Sequence, residues 1–550
     1  MLSRCDIQPR LFANALWCVV LVLGCNNPVS IDESKKASHP ETTNARPNIL
    51  LLVADDMGYT DLGSFGSEIP TPNLDALAFD GVRFVNFHAA PSCAPTRAML
   101  MSGLTGGEAG VTDTMAPVLS NDVAALPALL QDVGYRTYMA GKWHLGIERD
   151  QSPLARGFDA SFALVRGGDS HLGASHFAPQ TVAYRENGQL VQVPADWFSS
   201  RLYTDKLIEM IRSGEDNRSP WFGYLAFTAP HWPLQAPANW RDRSADRYDG
   251  GYDLLRAARI NRARELGIIP DNTSVEDYVG LAPSWEDLDA EARQKNARAM
   301  ELYAAMVENM DYHVGRLLEY LRTTNQFDNT VILFFSDNGA SGSDSSFRPR
   351  MPWKPDLAWN NSLPNMGQAG SFVAIGRGWA EATTAPYRAV KGSLYEGGTR
   401  AAAFMHHESL LHGGNIDRGY LTVMDVLPTL LEIGGTAHPG AEFQGRSVLP
   451  IRGRSFWSRV QGQSEPVHGD NDVIPWISSS PRSQGPQAAL VRGDWKIVRE
   501  REPSSVPETT PVWRLYHLAT DPGETTDVAE QWPDLLEELI TLWNVYEAGL

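Results

Sequence analysis

Three runs of nearly uninterrupted apolar residues constrain the fold of this chain more than any other feature: Pro47–Val53, Trp221–Phe227 and Thr330–Phe335. A strand with one wet face alternates apolar and polar side chains. A run without alternation fits a strand covered on both faces, as in a parallel sheet between helices. Each run ends at polar residues: Asp55 and Asp56 after the first, His231 soon after the second, Asp337 and Asn338 after the third.

Helical patterns separate the runs. Thr71–Ala78 reads as a capped helix and Ala124–Val133 as another. Gly134–Ala140 reads as a strand leading into Gly141–Gly146. A long helix is expected over roughly 284–323, with Ser284 and Asp287 as its capping box. Its apolar positions Leu302, Met306, Met310, Val314, Leu317 and Leu321 recur at helical spacing and belong to the core. Strands alternating with helices predict an α/β fold with a mostly parallel sheet. Open sheets of that kind place ligands beyond the carboxyl ends of their strands. The Gly/Pro-rich stretch Ser341–Ala385 is expected to be an ordered loop at the site. After residue 450 a hairpin (Ala488–Val498), a strand (Trp513–Leu518) and an amphipathic helix (Pro533–Tyr546) predict a small α+β subdomain. The expected catalytic domain is therefore 47–450, followed by the subdomain 451–550.

The N-terminus reads as a targeting segment. Arg4 and Arg10 precede an apolar run from Leu11 to Leu23, the pattern of a signal peptide over 1–25. Gly24-Cys25 resembles a bacterial lipoprotein cleavage site, so Cys25 is expected either to carry a lipid anchor or to be lost by plain secretion. Residues 26–46 are polar and read as a flexible linker. The expected location is outside the cytoplasm of a bacterium, in the periplasm or as a membrane-anchored lipoprotein. An excess of 66 acidic over 47 basic residues, with no basic run, argues against a nucleic-acid partner.

Of the four cysteines, Cys5, Cys18 and Cys25 fall in the targeting segment, which leaves Cys93 alone in the folded body. It begins Cys93-Ala-Pro-Thr-Arg97, followed by helix formers up to Gly103. Pro95 is tolerated in a first helical turn, so Cys93 sits at a helix start, where free N–H groups favour anions. Arg97, four residues on, is expected to offer its fork to oxyanions along the same face. Asp55, Asp56, Asp337 and Asn338 provide three carboxylates and an amide oxygen, a donor set for a hard cation, Ca²⁺ or Mg²⁺. Lys142 and His144 share a side if their stretch is extended, and with His231 and Lys391 they complete a cationic ring suited to an anionic group.

These motifs, in this order and spacing, resemble the type I, formylglycine-dependent sulfatases, and in detail the bacterial arylsulfatase branch. The residues that carry the resemblance are Asp55–Gly63, Thr71–Ala78, Cys93–Arg97, Gly141–Gly146, Thr228–His231, Ser336–Gly339, Lys391–Gly398 and Leu515–Glu524. The resemblance implies an alkaline-phosphatase-like α/β/α sandwich. It implies that a separate maturation enzyme oxidises Cys93 to formylglycine, whose hydrate attacks sulfur and then releases sulfate. It implies one Ca²⁺, Mg²⁺ being the lesser alternative, held by Asp55, Asp56, Asp337, Asn338 and the modified Cys93. Lys142 and Lys391 would bind sulfate oxygens, His144 would orient or deprotonate the nucleophile, and His231 would protonate the leaving oxygen, with or without Lys391. The substrate would be a sulfate ester, a small molecule or a sulfated glycan. Most members carry Ser where Thr96 stands; the hydroxyl is kept. The alternatives are a phosphonate monoester or phosphodiester hydrolase on the same core, and a non-catalytic surface protein if Cys93 stays a thiol. Trp143 and Trp232 are candidates for an apolar wall beside the substrate.

Overall fold

The computed structural model describes residues 46–172, 183–194, 196–214, 219–270, 273, 280–343, 359–411, 413–479, 487–500 and 511–550. The expected signal peptide and all of the linker but Arg46 lie outside these residues, as does 344–358 of the expected loop.

The sheet strands follow the apolar runs. In chain order they are β1 (Asn48–Asp55), β2 (Val82–His88), β3 (Arg136–Lys142), β4 (Ala160–Leu164), β5 (Tyr184–Glu186), β6 (Gln189–Leu190), β7 (Trp221–Pro230), β8 (Thr330–Ser336), β9 (Arg400–His406), β10 (Asn415–Asp417) and β11 (Leu421–Thr422). Their spatial order is β10-β2-β9-β8-β1-β7-β3-β4-β5-β6, with β11 also on β2. The centre is parallel: β1 pairs with β7 and β8, and β3 with β7 and β4. β9 runs against both β8 and β2, so the sheet is mixed.

The lack of alternation in β1 has its cause in two cores. Leu50, Leu52 and Ala54 face one hydrophobic cluster, and Ile49, Leu51 and Val53 face the other. Each fully buried leucine contributes about 1.5–3 kcal/mol. The first face is covered by α1 (Pro72–Asp80), the second by α2 (Cys93–Ser102) and α3 (Leu126–Asp132). α4 (Ser199–Ser213), α5 (Tyr252–Glu265), α6 (Ala290–Thr323) and α7 (Gly376–Thr383) add to the first face. After α8 (Glu396–Thr399), α9 (Val426–Ile433) and α10 (Trp457–Val460) pack on the second. The result is an α/β/α sandwich.

Two expectations need correction. The long helix starts at Ala290, and its cap is Asp289, whose carboxylate accepts from the Ala292 N–H at 2.8 Å. Ser284 instead precedes a separate 3-10 turn, Trp285–Asp287. The stretch 341–385 is not all loop, because α7 occupies its end and buries Trp379.

After a two-stranded ribbon, β12 (Glu442–Phe443) and β13 (Arg446–Ser447), the C-terminal part forms an antiparallel sheet. Its strands are β14 (Val473–Ser478), β15 (Gln487–Arg492), β16 (Trp495–Arg499) and β17 (Arg514–His517). One face (Ala488, Leu490, Ile497, Leu515) packs on α11 (Pro533–Glu547) through Leu539 and Trp543. The other face (Ala489, Val491, Val498, Tyr516) joins the second core of the main sheet. The C-terminal sheet is therefore built into the catalytic body.

Candidate active site

The predicted residues converge at the carboxyl ends of the central strands. Register does this: Ala54 lies beside Ser336 and Asp55 beside Pro230, so the ends of β1, β7 and β8 are level. Asp56 turns the chain off β1 in the left-handed region, φ 66°, which Asp tolerates better than most residues. Gly339 is needed just beyond Asn338, because a Cβ there would lie 1.9 Å from the Gly397 carbonyl oxygen. That close approach brings the Asp337–Asn338 loop against the segment that carries Lys391. On the other side, β2 ends at His88 and the chain enters α2 at Cys93, which is 2 % exposed.

Three carboxylates and three cations interlock here, all but Lys391 buried. Lys142 donates to Asp55 Oδ2 at 2.7 Å. Lys391 donates to Asp56 Oδ1, which also accepts from Asn338 Nδ2 at 2.7 Å. Arg97 donates to Asp337 Oδ2 through Nη2 at 2.7 Å and through Nε at 3.2 Å. Its Nη1 donates to the Lys142 carbonyl at 2.7 Å and to the Tyr224 hydroxyl at 3.1 Å. The expectation that Arg97 aims its fork at oxyanions is corrected by these partners: four of its bonds go to protein oxygens. A buried guanidinium next to a buried carboxylate is held there by the cost of leaving either unpaired. Thr96 serves the same junction, its hydroxyl donating to the Asp337 carbonyl at 2.6 Å.

The imidazoles are placed by bends, not by the extended geometry expected of 142–144. His144 has φ 56°, and this turn sets its Nδ1 3.4 Å from Cys93 Sγ. Its Nε2 lies 3.3 Å from the Thr114 carbonyl, which only accepts, so Nε2 carries the proton and Nδ1 offers a lone pair to Cys93. Burial, then Lys142 and Arg97, push its pKa well down and keep it neutral. His231 Nδ1 donates to the Trp232 carbonyl at 2.6 Å, and Nε2 faces Asp56 Oδ2 at 3.6 Å. Burial, Lys391 and Lys142 also push His231 well down. Burial pushes the Cys93 thiol up, against the pull of Lys142 and Lys391. Burial also raises Asp55 and Asp337, despite Lys142 and Arg97. For Lys391 burial opposes the charge, but Asp56 and the other acidic groups outweigh it and hold the ammonium protonated.

The donor set leaves acceptors over. Asp55 Oδ1, Asp56 Oδ2 and Asn338 Oδ1 are buried and have no hydrogen-bond partner among the described residues. Asp55, Cys93 and Asp337 each bring one ligand atom within 4.8 Å of the others. Asp55 belongs also to a second such group, with Asp56 and His231, and buried orphaned oxygens on these linked residues fit a hard divalent cation. Three carboxylates already balance Arg97, Lys142 and Lys391, so a divalent ion would leave the pocket positive and selective for an anion.

Several contributors escaped the sequence reading. Gly167 lies against His144, where a Cβ would be 2.5 Å from Cε1. His171 supports His231, with Nε2 on its carbonyl at 3.0 Å and Nδ1 on the Ser199 hydroxyl at 2.7 Å. Both follow the end of β4, so the strand-end rule could have found them. Tyr224, inside an apolar run, gives no such signal. Of the two candidate wall residues, Trp143 is corrected: it is fully buried, donating to the Gln151 carbonyl at 2.9 Å and packed on Phe158. Trp232 is half-buried and lies 4.4 Å from the His231 ring and 5.2 Å from that of Phe372.

Comparison with known proteins places this geometry. A family model described as Sulfatase matches residues 47–436. An uncharacterized sulfatase of Schizosaccharomyces pombe is 39% identical over 539 residues, 93% of this chain and 95% of that protein. An arylsulfatase of Klebsiella aerogenes is 37% identical over 429 residues, 75% of this chain and 91% of that protein. The solved structure of Ps i-CgsB in complex with k-i-k-neocarrahexaose superposes with a TM-score of 0.64 at 24% identity, over 91% of this chain and 92% of that one. Another, holding its substrate D-glucosamine-2-N,6-O-disulfate, gives 0.59 at 21% identity over 92% and 98%. These neighbours share the expected alkaline-phosphatase-like sandwich. With a family model along most of its length and a relative 39% identical along nearly all of it, the chain belongs to the sulfatase family and is an enzyme that hydrolyses sulfate esters.

Proposed function

We propose that the enzyme is an arylsulfatase-type hydrolase whose nucleophile derives from Cys93 by conversion to formylglycine, and that Asp55, Asp56, Asp337 and Asn338 hold one Ca²⁺. The observation that carries this reading is the gathering of Asp55 and Asp337 at a buried Cys93, with orphaned oxygens on Asp55, Asp56 and Asn338 and three cations paired to the carboxylates. Once modified, residue 93 would supply a hydrated aldehyde oxygen as nucleophile, and a bound metal would supply Lewis acidity and positive charge in the site. Neutral His144, with its Nδ1 lone pair toward position 93, accepts the proton of the attacking hydroxyl. Arg97 acts on the reaction by holding Asp337 in its ligating orientation. Lys142 and Lys391 each spend one N–H on a carboxylate, and an ammonium has three, so two remain for sulfate oxygens. Fixed cations in a dry pocket stabilise the charge that builds on sulfate and on the leaving oxygen.

The leaving oxygen needs a proton. His231 in its resting tautomer has its N–H on the Trp232 carbonyl and must first take up a second proton, which Asp56 favours by facing Nε2. Lys391 is protonated already, so it shares the acid role. Trp232, half-buried beside His231 and backed by the buried Phe372, would give the leaving group an aromatic face, and the name of the Klebsiella relative makes an aryl sulfate the first substrate to try. The sulfated-glycan alternative stays within the proposal. Export, with or without a lipid on Cys25, completes it.

Mass spectrometry of the tryptic peptide ending at Arg97, from protein made with a maturation enzyme, tests the nucleophile: replacement of the thiol by an aldehyde oxygen is expected. A persistent thiol in active protein would refute it. Faster turnover of aryl phosphonates or phosphodiesters than of aryl sulfates would assign the chemistry to phosphorus instead.

A further inference from the structure

Lys391 is the one site cation that does not come from a strand or a helix of the sandwich. It sits in a turn, and its neighbour Gly392 has φ 90° with open space where a Cβ would be, so packing does not fix the turn there. Hydrogen bonds fix it. The Lys391 N–H donates to the Ala340 carbonyl at 3.0 Å, just past the Asp337–Asn338 loop. The Gly392 N–H donates to the Pro91 carbonyl at 2.7 Å, two residues before Cys93. The next two residues are held from the C-terminal sheet. Glu500, which follows β16, accepts from the Ser393 hydroxyl through Oε1 at 2.7 Å and from the Leu394 N–H through Oε2 at 2.7 Å.

The pinning continues into α8. Glu396 accepts from Lys496 of β16 at 2.7 Å and pairs with His88, the last residue of β2, at 2.8 Å. Its own N–H donates to Glu524 at 2.6 Å. These groups are all buried. A carboxylate taken out of water must be repaid by its hydrogen bonds, and Glu500 directs one to each of two adjacent residues in the turn that presents Lys391.

We propose that Glu500 is a positioning residue for Lys391: the C-terminal sheet sets where that ammonium stands over the pocket, and Glu500 acts on turnover only through it. The proposal rests on the sulfatase reading above, in which Lys391 meets the sulfate group. It assigns the C-terminal sheet a part in catalysis, although none of the site residues described above comes from it.

A double-mutant cycle with a chromogenic aryl sulfate tests it, using full-length matured protein and rates normalised to formylglycine content. Glu500→Ala is expected to lower kcat/KM by about 10- to 100-fold, the loss that about 1 Å of misplacement produces. In a Lys391→Ala background the same change should cost less than about twofold, because the group it positions is gone. Glu500→Gln should restore most of the rate, since its amide can accept from Leu394 N–H and donate to the Ser393 hydroxyl. If Glu500→Ala does not fold, Ser393→Ala removes one of the two bonds and should show a smaller loss that also vanishes in the Lys391→Ala background. An equal loss in both backgrounds, or no loss, overturns the proposal. If wild-type protein bearing the aldehyde hydrolyses no sulfate ester, the sulfatase reading is what fails. Crystal structures of wild type and Glu500→Ala then decide the positioning claim: an ammonium displaced from Asp56 supports it, and an unmoved one overturns it.

Discussion

Replacing Arg97 by Met removes the guanidinium that pairs with Asp337 and leaves a carboxylate, 0 % exposed, with Asp55 as its neighbour. Breaking a buried pair from one side costs about 3–5 kcal/mol. The structure sets a ceiling within that range. Without Arg97 and without metal, Asp337 escapes the penalty by taking up a proton. Reckoned from the ordinary value of 3.8, protonation at pH 7 costs at most about 4 kcal/mol, at 1.36 kcal/mol per pH unit, and less because burial already raises Asp337 in the wild type. The sign follows from linkage. Burial already raises Asp337 in the wild type against the pull of Arg97, and removing Arg97 raises it further, so the deficit opens with rising pH above the wild-type folded pKa and levels off at the variant's. Urea unfolding of chelated wild type and variant should therefore differ by up to about 4 kcal/mol at pH 7 and by no more than about 2 kcal/mol at pH 5.5. Arg97→Met with Asp337→Asn should recover about 2 kcal/mol or more of the loss at pH 7, because no buried charge is then stranded. A deficit under 1 kcal/mol at pH 7, or one that does not shrink in acid, would show that Arg97 does not hold the Asp337 charge.

Calcium titrated into chelated protein should raise the unfolding free energy by about 1.4 kcal/mol per decade above its Kd, and Asp55→Asn should move the onset of that rise to higher calcium in urea melts. Lys142→Met should lower kcat/KM on aryl sulfate by about 10²–10³-fold, measured on protein shown by circular dichroism to be folded. Burial pushes His171 down to about 4, so its neutral form is stabilising above pH 6.5 and that contribution is lost as pH falls toward 4. The stability advantage of wild type over His171→Gln should shrink by about 3 kcal/mol between pH 7.5 and pH 4; a gap independent of pH would mean that His171 is not buried as neutral imidazole.

The primary structure determined the sheet, the strand ends and the identity of the polar residues gathered there. Runs such as Ile49–Val53 have no polar face, so only a strand covered on both sides can bury them, and the polar residues that follow are forced to its end. Fold class and candidate site were legible because both depend on local pattern and on strand ends. Partners across the chain were not legible. Arg97 reads as an anion fork until Asp337, from the end of β8, takes up its donors, and no local signal distinguishes the two fates. Lys142 and His144 were rightly grouped, but a left-handed bend at His144 does what extended geometry was expected to do. Trp143 and Trp232 look alike in sequence; one fills a core and the other lies half-buried against His231, since burial depends on what folds over a residue. Tyr224 and Glu500 acquire their parts only when distant segments meet. What the tertiary structure alone decided is which buried charges are paired with one another, and so which oxygens are left over for the metal and the substrate.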